Sequence, residues 1–205
     1  NIMLADSAHI QESDAEYQNR KNKRAGRPDV EPLYTVADAM RVPEFLQTCE
    51  YHQTVDVCEG VKATFIDAGH LLGSASILME LTEGGEKRNI VFSGDIGNVD
   101  QPIIRNPQFF GGADYVVMES TYGNRNHTEV WSYTDDLAQI IDETLGRGGN
   151  VVIPSFAVGR TQELLYFIRE IKDRHLVTSV QDFPVYVDSP LAKSATGIFC
   201  GDLRG

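Results

Sequence analysis

Short runs of apolar residues, separated by polar or glycine-containing segments, predict that strands and helices alternate along the chain. In the first half these runs end near Gly, Asp or Asn, as strands commonly do. Gly84-Gly85 joins two of the runs by a tight turn, so these two are expected to pair side by side. The predicted strands are residues 3–8, 55–57, 61–66, 76–81, 88–92, 115–118, 150–154 and 185–187.

Apolar positions three or four residues apart predict the helices. We expect a polar helix over residues 12–22, a short helix capped by Thr35, and amphipathic helices over residues 134–145 and from Thr161 onward. Asp188-Ser189-Pro190 predicts the start of a last helix, because proline suits the first helical position. The second half is therefore typical of an alternating β/α domain with a parallel sheet.

Three predicted strands of the first half are followed by a potential metal ligand or acid. His70 follows residues 61–66, Asp95 follows residues 88–92, and Glu119 comes directly after Met118. Such strand ends fit a site along one edge of a sheet, and zinc accepts imidazole and carboxylate together. A histidine bonded to a backbone carbonyl, or an acid that closes a turn, would give the same pattern, so spacing alone leaves both interpretations open.

Composition limits the class of protein. A formal charge of −12 over 205 residues argues against a nucleic-acid-binding protein with a broad basic surface, but not against a site made cationic by metal ions. The three cysteines form no CxxC pair and indicate neither a disulfide framework nor a cysteine-based zinc site. No apolar run of about 18 residues and no signal-peptide pattern occurs, so we expect a cytoplasmic protein without a membrane partner.

Two histidines and one basic cluster each have two interpretations. His9 fits a metal ligand or a local hydrogen-bonding residue, and His127 fits a substrate cleft or a polar linker. The dense basic cluster either contacts phosphate or is a solvated helix end. It consists of Arg20, Lys21, Lys23, Arg24 and Arg27.

The loop of residues 155–160 is a candidate anion site. It lies between a predicted strand and a predicted helix, where free backbone N–H groups favour a bound anion. Arg160 adds a planar donor suited to phosphate. The alternative is a capped turn with an exposed arginine.

Five segments, in order along the chain, resemble the β-CASP branch of the metallo-β-lactamase fold, whose members are RNA- and DNA-processing nucleases. The first three are FIDAGHLLGSASILMEL, IVFSGDIGN and VVMESTYGNRNH; IPSFAVGRTQELL and VYVDSPLA are similar to the β-CASP domain itself. ESTYG with SFAVGR resembles the RNA-directed group related to the cleavage and polyadenylation endonuclease. The resemblance implies an α/β fold: a partial αββα metallo-β-lactamase sandwich (residues 1–126) joined to the first part of a β-CASP domain (residues 127–205).

The resemblance also implies a function and a set of site residues. It implies a zinc-dependent ribonuclease that hydrolyses single-stranded RNA by a two-metal hydroxide mechanism, in a cleft between the domains. His70 matches a ligand of one zinc, and Asp95 matches the aspartate that bridges both zinc ions. Glu119 matches the catalytic acid of the first β-CASP motif, which pairs with a histidine. Ser155 and Arg160 match the RNA-binding face.

The zinc motif His-x-His-x-Asp-His and the later β-CASP histidines are absent from these 205 residues. We expect them before residue 1 and after residue 205, which would make the chain an internal fragment that binds zinc weakly or not at all and does not cut RNA. A DNA-directed β-CASP nuclease and an inactive RNA-processing scaffold are the alternatives, and a small-ester hydrolase fits least. The sequence leaves a homodimer open.

Overall fold

A computed structural model of the chain describes residues 2–126 and 132–201. Contacts divide the chain into unit 1 (residues 1–48 and 187–205) and unit 2 (residues 49–186). The elements are α1 (Ile2–Ala25), α2 (Val36–Arg41), a 3-10 turn (Val42–Phe45), β1 (Thr54–Cys58), β2 (Val61–Asp67), β3 (Ala75–Glu83), β4 (Glu86–Phe92), β5 (Tyr115–Val117), α3 (Tyr133–Gly146), α4 (Arg160–Asp173) and α5 (Pro190–Phe199). The predicted domain boundary after residue 126 stays a prediction.

The five strands form one sheet in the order β1-β2-β3-β4-β5. The first four are antiparallel neighbours, whereas β5 runs parallel to β4. Gly84 and Gly85 form the turn between β3 and β4 with φ of +58° and +85°, a conformation that glycine adopts without strain. Because β2, β4 and β5 point the same way, their C-terminal ends meet at one edge of the sheet, as the sequence predicted.

The apolar core of unit 2 lies between α3 and α4. Its buried members are Ala138, Ile141 and Ile171. Ser132 caps α3 by accepting the Asp135 N–H, so the helix begins where the sequence predicted. Asp142 accepts the backbone N–H groups of Thr178 and Ser179 at 2.6 and 2.7 Å, which hold the pKa of its carboxyl below the usual range; these bonds fix the segment after α4 against α3.

Unit 1 is helical. Ser189 caps α5, as predicted, and α1 contacts both α2 and α5. Ala8 of α1 and two alanines of α5 are buried, which lets helices approach closely. The Thr35–Asp38 capping box starts α2, and Glu12 accepts the Val36 N–H at 3.0 Å. Among the described residues, no helix has both the length and the apolar character needed to cross a membrane.

Three strand predictions are wrong. Residues 3–8 form the first turns of α1, since a short apolar run fits one face of a helix as well as a strand. Residues 150–154 and 185–187 join no hydrogen-bonded ladder within the described ranges 2–126 and 132–201, and Val152 and Tyr186 are 86% and 85% exposed. The predicted parallel sheet of the second half is therefore not formed by the described residues.

Candidate active site

Two side chains, one at each end of the loop after β2, hold the backbone around His70 in place. Asp67, the last residue of β2, accepts the Gly69 N–H at 2.9 Å. Ser74 Oγ accepts the N–H groups of His70 and Leu71, both at 3.1 Å. The backbone that carries the imidazole is therefore fixed by two short polar side chains, while the His70 ring itself remains exposed.

The loop after β4 packs directly on the loop after β2. The Gly97 N–H donates to Ala68 O at 2.8 Å. A Cβ atom at position 97 would lie 1.6 Å from Gly69 O, so only glycine allows this approach. Gly69 itself has a φ of +64°, and a Cβ there would lie 2.5 Å from Pro107 N. The two loops thus contact each other through their backbones, and this contact sets the position of Asp95 relative to His70.

His70 and Asp95 face each other across this contact. His70 Nε2 and Asp95 Oδ2 are 4.0 Å apart, with the two side chains 42% and 75% exposed. Zinc bonds to nitrogen and to carboxylate oxygen are each about 2.0–2.2 Å long, so these two atoms can both reach one ion, at an angle wider than tetrahedral; the donor types fit zinc. Over residues 2–126 and 132–201, however, no three His, Cys, Asp or Glu side chains come together as a possible metal site.

Glu119 connects the end of β5 to the loop that carries Asp95. Its Oε1 accepts the Ile96 N–H at 2.6 Å and its Oε2 accepts the Thr121 hydroxyl at 2.8 Å. Its own N–H donates to Ser93 Oγ at 3.1 Å. The Ile96 N–H, then the Thr121 hydroxyl, hold the pKa of Glu119 below its usual range, with a smaller contribution from His70. Glu119 is therefore a carboxylate at neutral pH, and it positions the residue that follows Asp95.

The structure brings the loop of residues 155–160 beside the His70 loop. A Cβ at Gly159 would lie 2.5 Å from Leu71 Cδ2, next to His70 in the chain. Arg160 pairs with Glu163, and the Gly159 N–H donates to Gln162 Oε1 at 2.7 Å. These donors, which the sequence suggested were free for an anion, thus have partners within the chain.

Two more backbone N–H groups at the start of α4 also have partners within the chain. Those of Arg160 and Thr161 donate to Val158 O and Phe156 O at 3.2 and 3.3 Å, and the Ser155 and Thr161 hydroxyls are 2.9 Å apart. An anion would have to replace these contacts. The RNA-binding roles of Ser155 and Arg160 stay predictions.

Several residues that build the site were not predicted. Ser74, Ser93 and Thr121 act only through hydrogen bonds to backbone or to Glu119, which no spacing rule indicates. Gly97 carried a signal, as the second glycine of SGDIGN. His9 is exposed on α1 in unit 1, and His127 lies outside the described residues.

Comparison with known proteins finds relatives whose names agree with one another. No protein-family model matches the chain. It is 33% identical to Ribonuclease TTHA0252 of Thermus thermophilus over 169 residues, which is 82% of this chain and 37% of that protein. It is 32% identical to Endoribonuclease YSH1 of Eremothecium gossypii over 88% of this chain and 23% of that protein. It is also 32% identical to an RNase J-like protein of Methanocaldococcus jannaschii, over 81% and 38% of the two chains.

The chain thus spans less than two fifths of the length of these relatives. Identity of about one third nevertheless extends over four fifths or more of the chain itself. The mixed α/β fold, with three strand ends at one sheet edge, agrees with the same assignment. The chain belongs to the β-CASP family of metallo-β-lactamase-fold proteins.

Proposed function

We propose that the whole protein is a metal-dependent ribonuclease and that this chain supplies part of its active site. The observation that carries the proposal is the 4.0 Å approach of His70 Nε2 and Asp95 Oδ2 at the edge where β2 and β4 end. The names of the three relatives, a ribonuclease, an endoribonuclease and an RNase J-like protein, support RNA as the substrate.

We propose zinc as the metal, on the chemistry of the two donors. The His70 imidazole would supply one nitrogen, and the Asp95 carboxylate would supply oxygen to one ion or to both. When bound, a metal pair lowers the pKa of water and offsets charge on the phosphate. Two donors are fewer than a zinc site requires, so further ligands are expected from elsewhere in the whole protein.

Each residue of this chain then has a defined task. His70 and Asp95 bind metal, and the contact between Gly69 and Gly97 keeps them at a fixed separation. Glu119 keeps the Asp95 loop in place through the Ile96 N–H while remaining charged. A histidine partner for Glu119 and a role in protonating the leaving group are also proposed, on the family resemblance.

We propose single-stranded RNA as the substrate, bound partly by Ser155 and Arg160. Arg160 can serve only if phosphate replaces Glu163 as the partner of its guanidinium, an exchange that a planar donor allows. A cytoplasmic location and a homodimer also stay proposals, and light scattering of the purified protein tests the second.

The test compares the whole protein with its Asp95→Ala and Asp95→Asn variants. We expect about two zinc ions per wild-type molecule, measured by mass spectrometry, and cleavage of RNA but not of DNA of the same sequence. Asp95→Ala should lose metal and cleavage while it still binds RNA. Asp95→Asn, which is close in shape but neutral, should lose bridging and activity with little loss of stability.

The alternatives predict different results. Equal cleavage of DNA would favour a DNA-directed nuclease, whereas a wild-type protein without metal or cleavage would favour an inactive scaffold. If Asp95→Ala unfolds the protein, the Asp95→Asn variant alone tests whether Asp95 is a metal ligand. An Asp95→Asn protein that keeps its metal and its activity would contradict the ligand assignment.

A further inference from the structure

The C-terminal part of α1 and the turn after it form a basic segment, residues 17–28, in an otherwise acidic chain. The segment contains five of the 18 Lys and Arg residues and no Asp or Glu. All five cationic residues are exposed. Such a high density of positive charge requires an explanation, because like charges at helical spacing repel one another.

An exposed aromatic ring lies among these charges. Tyr17, Arg20, Lys21 and Arg24 follow the spacing i, i+3, i+4 and i+7, which places them on one face of α1. Arg20 Cζ and Lys21 Nζ lie 5.8 and 4.3 Å from the centre of the Tyr17 ring, and Tyr17 is 53% exposed. The surface thus combines cations with an aromatic face that solvent can reach.

Two asparagines make this surface rigid. Asn22 is only 5% exposed; its Nδ2 donates to Pro28 O at 2.8 Å, and its backbone carbonyl accepts the Arg27 N–H at 2.9 Å. Asn19 both donates to and accepts from the backbone of Val30, at 2.8 and 2.7 Å. The chain after α1 is therefore tied back along the helix, which places Arg27 beside the cations of the last two turns.

Few carboxylates neutralise the segment. Glu16 approaches Arg20 at 4.0 Å, and no other acid of the described part of the chain forms an ion pair with these five cations. Cations in the last turn of a helix stabilise its C-terminus, which accounts for Lys23 and Arg24. This stabilising effect does not account for Arg20, Lys21 and Arg27, nor for the exposed Tyr17 ring.

We propose that the basic segment binds the phosphate backbone of single-stranded RNA, with Tyr17 as a stacking surface for a base. Cations that follow a backbone, combined with an exposed aromatic ring, suit single strands of mixed sequence. The proposal rests on the proposed function for its partner, and it adds an RNA contact in unit 1 to the one proposed at the 155–160 loop of unit 2. Long side chains in water suit a polyanion better than one small ligand.

The experiment measures binding of the whole protein to a fluorescein-labelled single-stranded RNA by anisotropy, in EDTA to prevent cleavage and over a range of salt concentrations. The test variant removes four charges as Lys21→Gln, Lys23→Gln, Arg24→Gln and Arg27→Gln. The matched control removes four exposed charges elsewhere, as Lys87→Gln, Arg147→Gln, Arg169→Gln and Lys193→Gln.

We expect the test variant to bind at least about tenfold more weakly at low salt, with a salt slope smaller by about 3. The control should keep most of the wild-type affinity and slope. Tyr17→Leu should weaken RNA binding about fivefold or more at every salt concentration without changing the salt slope. Tyr17→Phe keeps the aromatic ring and should bind RNA as the wild type does. Melting temperatures of all variants should fall only slightly, because the altered side chains are exposed and a cation in the last helical turn contributes only modestly to stability.

The outcomes separate this proposal from the proposed function. If the wild type cuts and binds RNA and the test variant binds equally well, the basic segment is not an RNA contact and the ribonuclease assignment stands. A wild type that binds no RNA overturns both. An equal loss in the control, or loss of binding to phosphatidylserine vesicles with RNA binding unchanged, also overturns the RNA-backbone proposal.

Discussion

The sheet edge of unit 2 and the basic segment of unit 1 both display charged side chains, but they fix them in opposite ways. At the sheet edge, short side chains extend from loops whose backbones touch, so that Gly97 and Gly69 leave no room for a Cβ. In the basic segment, long flexible side chains extend from a helix whose following turn is held by Asn22. The first arrangement suits ligands that need one geometry, and the second suits a polymer whose charges can shift.

The two regions should therefore respond differently to substitutions. Metal ligation tolerates errors of a few tenths of an ångström, so the loop backbone matters as much as the ligands. Phosphate attraction falls slowly with distance and depends on the number of cations, so single substitutions have graded effects. Two further substitutions test the sheet-edge side of the comparison, and a third tests Arg160 in the 155–160 loop.

The largest effect is expected from Gly97→Ala. Its Cβ would overlap Gly69 O, so the two loops must separate, at a cost of about 3 kcal/mol or more in the free energy of unfolding. Chemical denaturation measures this cost. Gly112→Ala is the control, because nothing lies within 4 Å of a Cβ there. Equal stabilities of the two variants would contradict the close packing of the His70 and Asp95 loops.

Glu119→Gln should have a smaller effect that depends on pH. Glu119 has a lowered pKa when folded, so its charged form adds stability above its ordinary pKa, and this contribution is lost as pH falls through the folded value. At pH 7 we expect a loss of about 1 kcal/mol, since the site is partly screened by solvent. Stability measured from pH 7 to pH 3 should fall less steeply in the variant; parallel curves would contradict the hydrogen-bonded carboxylate.

The smallest effect is expected from Arg160→Ala. If Arg160 makes the proposed phosphate contact, its removal should reduce the salt slope of RNA binding by about 0.7. Arg169→Ala removes an exposed charge from the same helix and is the control. If both variants keep the wild-type slope, Arg160 serves only the pair with Glu163.

The antiparallel strands of the first half were predictable because their alternation and turns are local. Residues 61–66 and 76–81 became β2 and β3 with small changes at their ends, and Gly84-Gly85 formed the predicted turn. The shared edge for His70, Asp95 and Glu119 followed from strand direction. The contact of Gly97 with Gly69 could not be predicted, because it depends on how two loops meet in space.

The second half was predicted less well for a physical reason. Helices α3, α4 and α5 carry apolar periodicity in their own sequences, and α3 and α5 also begin with a serine cap, so they appear where expected. A strand exists only with a hydrogen-bonded neighbour, and residues 150–154 have none within the described ranges, despite their strand-like composition. Composition indicates a preference for extended backbone, whereas pairing requires a partner elsewhere.

The glycine turn between β3 and β4 has a practical use. A Cβ at Gly84 or Gly85 would meet nothing within 4 Å, so the space around this turn is open. It lies at the opposite end of β3 from the candidate active site, roughly 27 Å away for a nine-residue strand. A short epitope or a fluorescent label inserted there would report on the protein during the proposed RNA cleavage without approaching His70 or Asp95.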